Sequence, residues 1–136
     1  MNLSVCTITF RHQLISIAEI AKWSVANGFQ GIELWGAHAT NLEDQPEYGK
    51  EWLSSYALKT SMLSDYLPLF EGNDALYFKV HRLCRLAKHW GATKIRTFAG
   101  NEGSAAIPED RKNLLFERLQ LVCDWLSAGV WSGERF

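Results

Sequence analysis

The residues of this chain best suited to chemistry are Arg11 and His12; Glu33, Trp35 and His38; Asp65 and Tyr66; and Arg96 with Asn101 and Glu102. They form four groups, each on or just after a short apolar run: "SVCTITF", "GIELW", "KTSMLS" and "TKIRTF". Guanidinium, carboxylate, imidazole and phenol are the groups that hold an anion, move a proton and orient an oxygen-rich small molecule. Glu33 alternates with Ile32 and Leu34, and Arg96 follows Ile95, so both point away from the side that their apolar neighbours bury. A carboxylate there needs a partner. Arg96 can supply one as a structural ion pair, or it can bind an anionic ligand through its planar fork. Plainer readings exist for the others: Arg11, His12 and His38 as loop residues, Tyr66 as a packing aromatic, Gly100 and Gly103 as turn formers. His81 and His89 lie inside a helical run and read as structural or solvated. No close pair of metal-ligand types shares an element, so the residues alone indicate no metal site.

The elements that must position these groups alternate. Leu3–Phe10 is apolar and rich in β-branched residues, a strand pattern. Leu14, Ala18, Ala21 and Val25 recur at helical spacing, and Gly28 suits the helix end. Gly31–Trp35 reads as a second strand. After a loop, Pro46 opens a helix with Trp52 and Tyr56 on one face. Lys59–Ser64 is a third strand. Asn73 or Asp74 caps a helix through Leu76, Val80, Leu83, Cys84 and Ala87 to Gly91. Thr93–Phe98 is a fourth strand. Pro108 starts a last helix with Leu115, Leu119, Val122, Cys123 and Leu126 on its apolar stripe, and Gly129 is expected to end it. Four β-α units with helical crossovers imply parallel strands. Two architectures fit, a small doubly wound sheet or four units of a (β/α)₈ barrel. The loop after the first strand, "TFRHQLIS", has no glycine, which argues against a dinucleotide site there.

The chain has 136 residues, 47% of them hydrophobic and 21% charged, with formal net charge −1. That is enough for one domain, and a near-neutral balance disfavours nucleic acid or membrane held by charge. No run is long and apolar enough to span a bilayer, and "MNLSVCTITF" is not a signal peptide. The three cysteines, Cys6, Cys84 and Cys123, lie far apart in apolar runs and read as buried, reduced thiols of a cytoplasmic protein.

"CTITFRHQLIS", "GFQGIELWGAHATNL", "SMLSDYL" and "KIRTFAGNEGSA" together resemble the N-terminal half of bacterial 3-dehydroshikimate dehydratases. These enzymes belong to the xylose-isomerase-like, sugar phosphate isomerase/epimerase group of TIM barrels. "GIELW" alone is common among such barrels; "FRHQLIS" with "KIRTFAG" is specific. The resemblance implies an α/β fold of about four β-α units, residues 1–128 forming half of a TIM barrel. It implies conversion of 3-dehydroshikimate to 3,4-dihydroxybenzoate (protocatechuate). A divalent metal, manganese or magnesium, would polarise the substrate carbonyl while a base takes the neighbouring proton and hydroxide leaves. It also implies that Tyr66 packs against or hydrogen-bonds the substrate ring and that Arg96 pairs with its carboxylate. His12, Glu33 and His38 are site-lining candidates, with no catalytic residue and no metal ligand assigned.

In that family the metal ligands come from strands five to eight. Residues 129–136, "GVWSGERF", depart from the family pattern and read as an aberrant tail, in which Glu134 is a poor substitute for a strand-five glutamate. The expectation is a chain that binds no metal and is inactive by itself, with a homodimer through the uncovered barrel face as its partner. The alternatives are a fragment of a sugar or sugar-phosphate isomerase/epimerase and a non-catalytic, self-associating half-barrel.

Overall fold

The computed structural model describes residues 2–100 and 102–130. Four parallel strands, β1 (Ser4–Cys6), β2 (Gly31–Trp35), β3 (Lys59–Ser64) and β4 (Ile95–Arg96), form one sheet in the order β1-β2-β3-β4. Strands that neighbour in chain order, with no reversal, are the arrangement of a βα-barrel. A doubly wound sheet would need an order switch, so that alternative is set aside.

The helices are α1 (Ile17–Ala26), α2 (Gly36–Asn41), α3 (Lys50–Ser54), α4 (Asn73–Trp90) and α5 (Glu109–Trp125). The chain divides into two compact units. The first holds Met1–Asp65 and Leu86–Arg96 and so contains the whole sheet; the second holds Tyr66–Arg85 and the residues from Thr97 onward. The core of the first unit is built from Ile20, Ala21, Ile32, Leu34, Leu53, Leu58, Leu63 and Trp90, each 1% exposed or less. That of the second gathers Leu69, Leu76, Val80, Leu83, Leu115 and Val122.

Ile32 and Leu34 are sealed on the helix side of β2, so Glu33 and Trp35 stand on the other side, as their alternation requires. On β3 a bulge intervenes: Ile32 pairs with Thr60 but Glu33 with Met62, leaving Ser61 as the extra residue. Ser61 uses its hydroxyl on the Ile32 carbonyl (3.1 Å) and meets the Ser4 hydroxyl at 2.8 Å.

β2 and β3 occupy the predicted spans, and α4 begins at Asn73 and stops before Gly91, whose φ is +70°. Other elements differ. The first strand ends at Cys6, and Thr7–Phe10 curl into a 3₁₀ turn because the Thr7 hydroxyl receives the Trp35 N–H at 2.9 Å. Helix α1 starts at Ile17 rather than near Leu14. Ser16 and Glu19 form a reciprocal capping box there, leaving Leu14 exposed before it and Val25 nearly half exposed. Its buried face is Ile17, Ile20, Ala21 and Ser24.

Helix α2 follows β2 without a loop, and α3 starts at Lys50, past Pro46, with Tyr56 beyond its end. A Cβ on Gly36 would lie 2.3 Å from Asp65 Oδ2, so only glycine lets α2 begin at this point. The fourth strand is cut to Ile95–Arg96. Helix α5 buries Leu115 and Val122 but exposes Cys123, against the expected stripe and the expected burial of that thiol. Gly129 does not end the helical run, since a π turn covers Leu126–Val130. Asn101 and Glu134 lie outside the described residues.

Candidate functional site

On the face of the sheet away from the helices, at the C-terminal ends of the strands, Cys6 stands beside Glu33 in register. One step further, Trp35, Ser64 and Arg96 form a row. Arg96 reaches back over β3 to Glu33, with Nη2 2.5 Å from Oε1. The Glu33 side chain is 16% exposed and that of Arg96 44%. Glu33 Oε1 is buried and has no aligned hydrogen bond, so the contact is one of charge rather than a bidentate clamp. A guanidinium carries five N–H donors in a planar fork that suits a carboxylate.

Burial pushes the Cys6 thiol upward from its ordinary pKa. A hydrogen bond from the Ile8 main chain works against this, and the charge of Glu33 adds to it. Cys6 is therefore a protonated neighbour of the pair, not a nucleophile.

His38 lies in the first turn of α2. Its Nδ1 is 2.9 Å from Thr7 Oγ1, and its ring meets Trp35 edge-on at 5.3 Å. Burial lowers its pKa. Sequence reasoning missed Thr7, which reads as one more β-branched strand residue; its only signal is a hydroxyl inside the run "SVCTITF". His12 is exposed after the 3₁₀ turn and makes no hydrogen bond, ion pair or ring contact with the described residues. Arg11 only turns back to the Ile8 carbonyl at 3.3 Å.

In the second unit, Tyr66 is stacked on Phe98, with centroids 4.6 Å apart and planes 26° from parallel. Tyr66 is half exposed. This pair borders a cavity of about 570 Å³ shared with Phe70, Lys79, Glu102 and Arg111. Arg111 sits 4.4 Å over the Phe70 ring and pairs with Glu102 at 3.0 Å. Glu102 thus has a structural partner.

Among the described residues no group of three His, Cys, Asp or Glu side chains converges to hold a metal ion. The described residues do not fit the divalent metal that the resemblance implies. Among the described residues, too, no helix is long and apolar enough to cross a membrane.

No family model matches the chain. It is 40% identical over 130 residues to a 3-dehydroshikimate dehydratase of Bacillus anthracis, covering 91% of this chain and 46% of that protein. The crystal structure of the probable 3-DHS dehydratase AsbF, involved in petrobactin synthesis in Bacillus anthracis, superposes with a TM-score of 0.84 at 39% identity. That match covers 94% of this chain and 49% of the other. A protein from Sinorhizobium meliloti 1021 matches with a TM-score of 0.66 at 20% identity, a likeness of fold alone, covering 89% of this chain and 45% of that one. The chain spans about half the length of the relatives it matches. Over that half it is a homologue, in sequence and in fold, of 3-dehydroshikimate dehydratase.

Proposed function

We propose that this chain carries the carboxylate-binding part of a 3-dehydroshikimate dehydratase site, with Arg96 as the group that pairs with the substrate carboxylate. The observation that supports it is the Arg96–Glu33 pair. A half-exposed guanidinium stands at the C-terminal end of a barrel-type sheet, where such folds bind ligands. It does so in a chain 40% identical to a dehydratase. Glu33 fixes the guanidinium from one side, so that ordering the side chain costs little when an anion arrives. Tyr66, already stacked on Phe98, is the residue proposed to pack against the substrate ring.

Dehydration of 3-dehydroshikimate to 3,4-dihydroxybenzoate is the activity proposed for the whole protein. This chain by itself is proposed to bind the substrate without turning it over, because its described residues offer no metal ligand set. Calorimetric titration with 3-dehydroshikimate, and an absorbance assay for 3,4-dihydroxybenzoate with manganese present, test the two halves. Binding that weakens about 10- to 150-fold in Arg96→Ala is expected, the cost of one charge-assisted bond of about 1.5–3 kcal/mol. Unchanged affinity in that variant overturns the role of Arg96. Metal-dependent product formation by the chain overturns the claim that it only binds.

A further inference from the structure

We infer that His38 is a second substrate-contacting group of this site: a neutral imidazole whose Nδ1 is occupied by Thr7 and whose Nε2–H is offered to a hydroxyl or carbonyl oxygen of a hydroxylated carboxylic acid. The inference rests on the binding role proposed for Arg96 and extends it to a different part of the same ligand.

Thr7 is completely buried. A threonine hydroxyl has one hydrogen to give and two lone pairs. Its partners are the Trp35 N–H and His38 Nδ1, each at 2.9 Å. A main-chain N–H can only donate, so the hydroxyl accepts there. Its own hydrogen then has one acceptor within reach, Nδ1. Buried hydroxyls keep their hydrogen bonds, so Nδ1 carries the lone pair and the ring proton sits on Nε2. Burial of the ring disfavours the imidazolium and agrees with this.

Nε2 makes no hydrogen bond among the described residues, yet it is not one of the buried polar atoms left without a partner. It is therefore open to solvent. The ring cannot turn away freely, because Trp35 meets it edge-on. Trp35 belongs to the same row of the sheet face as Ser64 and Arg96, and Thr7 follows Cys6, the register partner of Glu33. The donor thus belongs to the strand ends that carry Arg96. Since a guanidinium takes the carboxylate, what remains for a neutral N–H is an uncharged oxygen. Thr7 is the positioning residue and acts only through the ring.

The test is a long-range ¹H–¹⁵N correlation spectrum of the labelled 136-residue chain near neutral pH, with and without 3-dehydroshikimate. The expected result is a neutral Nε2–H tautomer for His38 that shifts when the ligand is added. Thr7→Val is expected to mix the tautomers and weaken binding about 2- to 12-fold, the span of one neutral hydrogen bond. Thr7→Ser, which keeps the hydroxyl, restores both readouts and serves where the valine variant does not fold. A wild-type His38 found as the Nδ1–H tautomer or as imidazolium overturns the inference. So does a ligand that shifts the Arg96 side-chain signals but leaves His38 unmoved, and that outcome leaves the role of Arg96 standing. A ligand that shifts no signal anywhere removes the Arg96 reading and this one with it.

Discussion

Arg96 and Glu33 meet across an intervening strand: Nη2 and Oε1 are 2.5 Å apart, although β3 separates the strands that carry them. An arginine whose side chain is 44% exposed is not a core ion pair. Breaking a fully buried pair costs about 3–5 kcal/mol, whereas exposed pairs are worth about 0–1 kcal/mol. Glu33 Oε1 is buried, so the pair falls between these limits, and Arg96→Ala is expected to lower unfolding free energy by about 1–3 kcal/mol while removing most ligand affinity. Urea unfolding beside the ligand titration checks this, and a loss above about 3 kcal/mol would favour the purely structural ion pair.

His38 gives the site a pH dependence of known sign. Its folded pKa lies below the ordinary value of 6.5 because burial disfavours the charged ring. Above 6.5 the ring is neutral in both folded and unfolded chains. As pH falls from there toward the folded value, the unfolded chain takes the proton first and stability declines. Asp65, whose carboxylate lies against Gly36 at the start of α2, is the nearby group that could soften the loss. His38→Gln should flatten this segment of the stability–pH curve. Identical slopes for wild type and variant between pH 6.5 and 5 would contradict it.

The thiols should separate kinetically. Burial pushes the Cys84 thiol up to about 11, so at pH 8 only about a thousandth is thiolate. Cys123 is exposed on α5. Iodoacetamide followed by peptide mass mapping should label Cys123 first and Cys84 only after denaturant is added. Rapid labelling of Cys84 in the folded chain would contradict its burial.

Ser16→Ala removes one arm of the capping box: the Glu19 N–H loses the Ser16 hydroxyl, and the Glu19 carboxylate loses that hydroxyl as a donor but keeps the Ser16 N–H. A loss of about 1 kcal/mol is expected in chemical unfolding. Ser16→Asp, which can still accept from the N3 N–H, should recover part of it.

Among the described residues, β1 and β4 are the outer strands of the parallel sheet, each with a strand neighbour on one side. Self-association of the chain is therefore expected. Light scattering over a dilution series should show a mass that falls with concentration, and a constant monomer mass would contradict it.

β2 and α4 were legible because glycine bounds their apolar runs, and β3 as a short run between two helical ones; those spans agree with the structure. The strand-end positions of Glu33 and Arg96 followed from alternation alone. Helix α2 was not legible. "GAHATN" has no apolar period, and its start depends on the absence of a Cβ at Gly36 against Asp65, a contact between residues far apart in sequence. Thr7 was hidden for a similar reason. β-branched residues favour strands, and only the Trp35 N–H reveals that its hydroxyl ends one. Leu14 misled because it falls in phase with α1, yet the helix is stopped short of it by Ser16.

The bulge at Ser61 acts as a phase shifter for the third strand. Before it, Thr60 points to the helix side, where its hydroxyl donates to the Trp90 carbonyl at 2.7 Å; after it, Leu63 takes that side and Ser64 turns toward Cys6 and the row of Arg96. Without the bulge, the same residues in strict alternation would put Thr60 and Ser64 on the same side. Leu63 would then face the polar groups. Ser61 therefore acts as one letter of punctuation: it lets a single strand satisfy an apolar clock on one face and a ligand-facing clock on the other. Deleting Ser61 would leave Met62, Leu63 and Ser64 on the faces they now hold, whereas flattening the bulge with Ser61 retained would turn all three over.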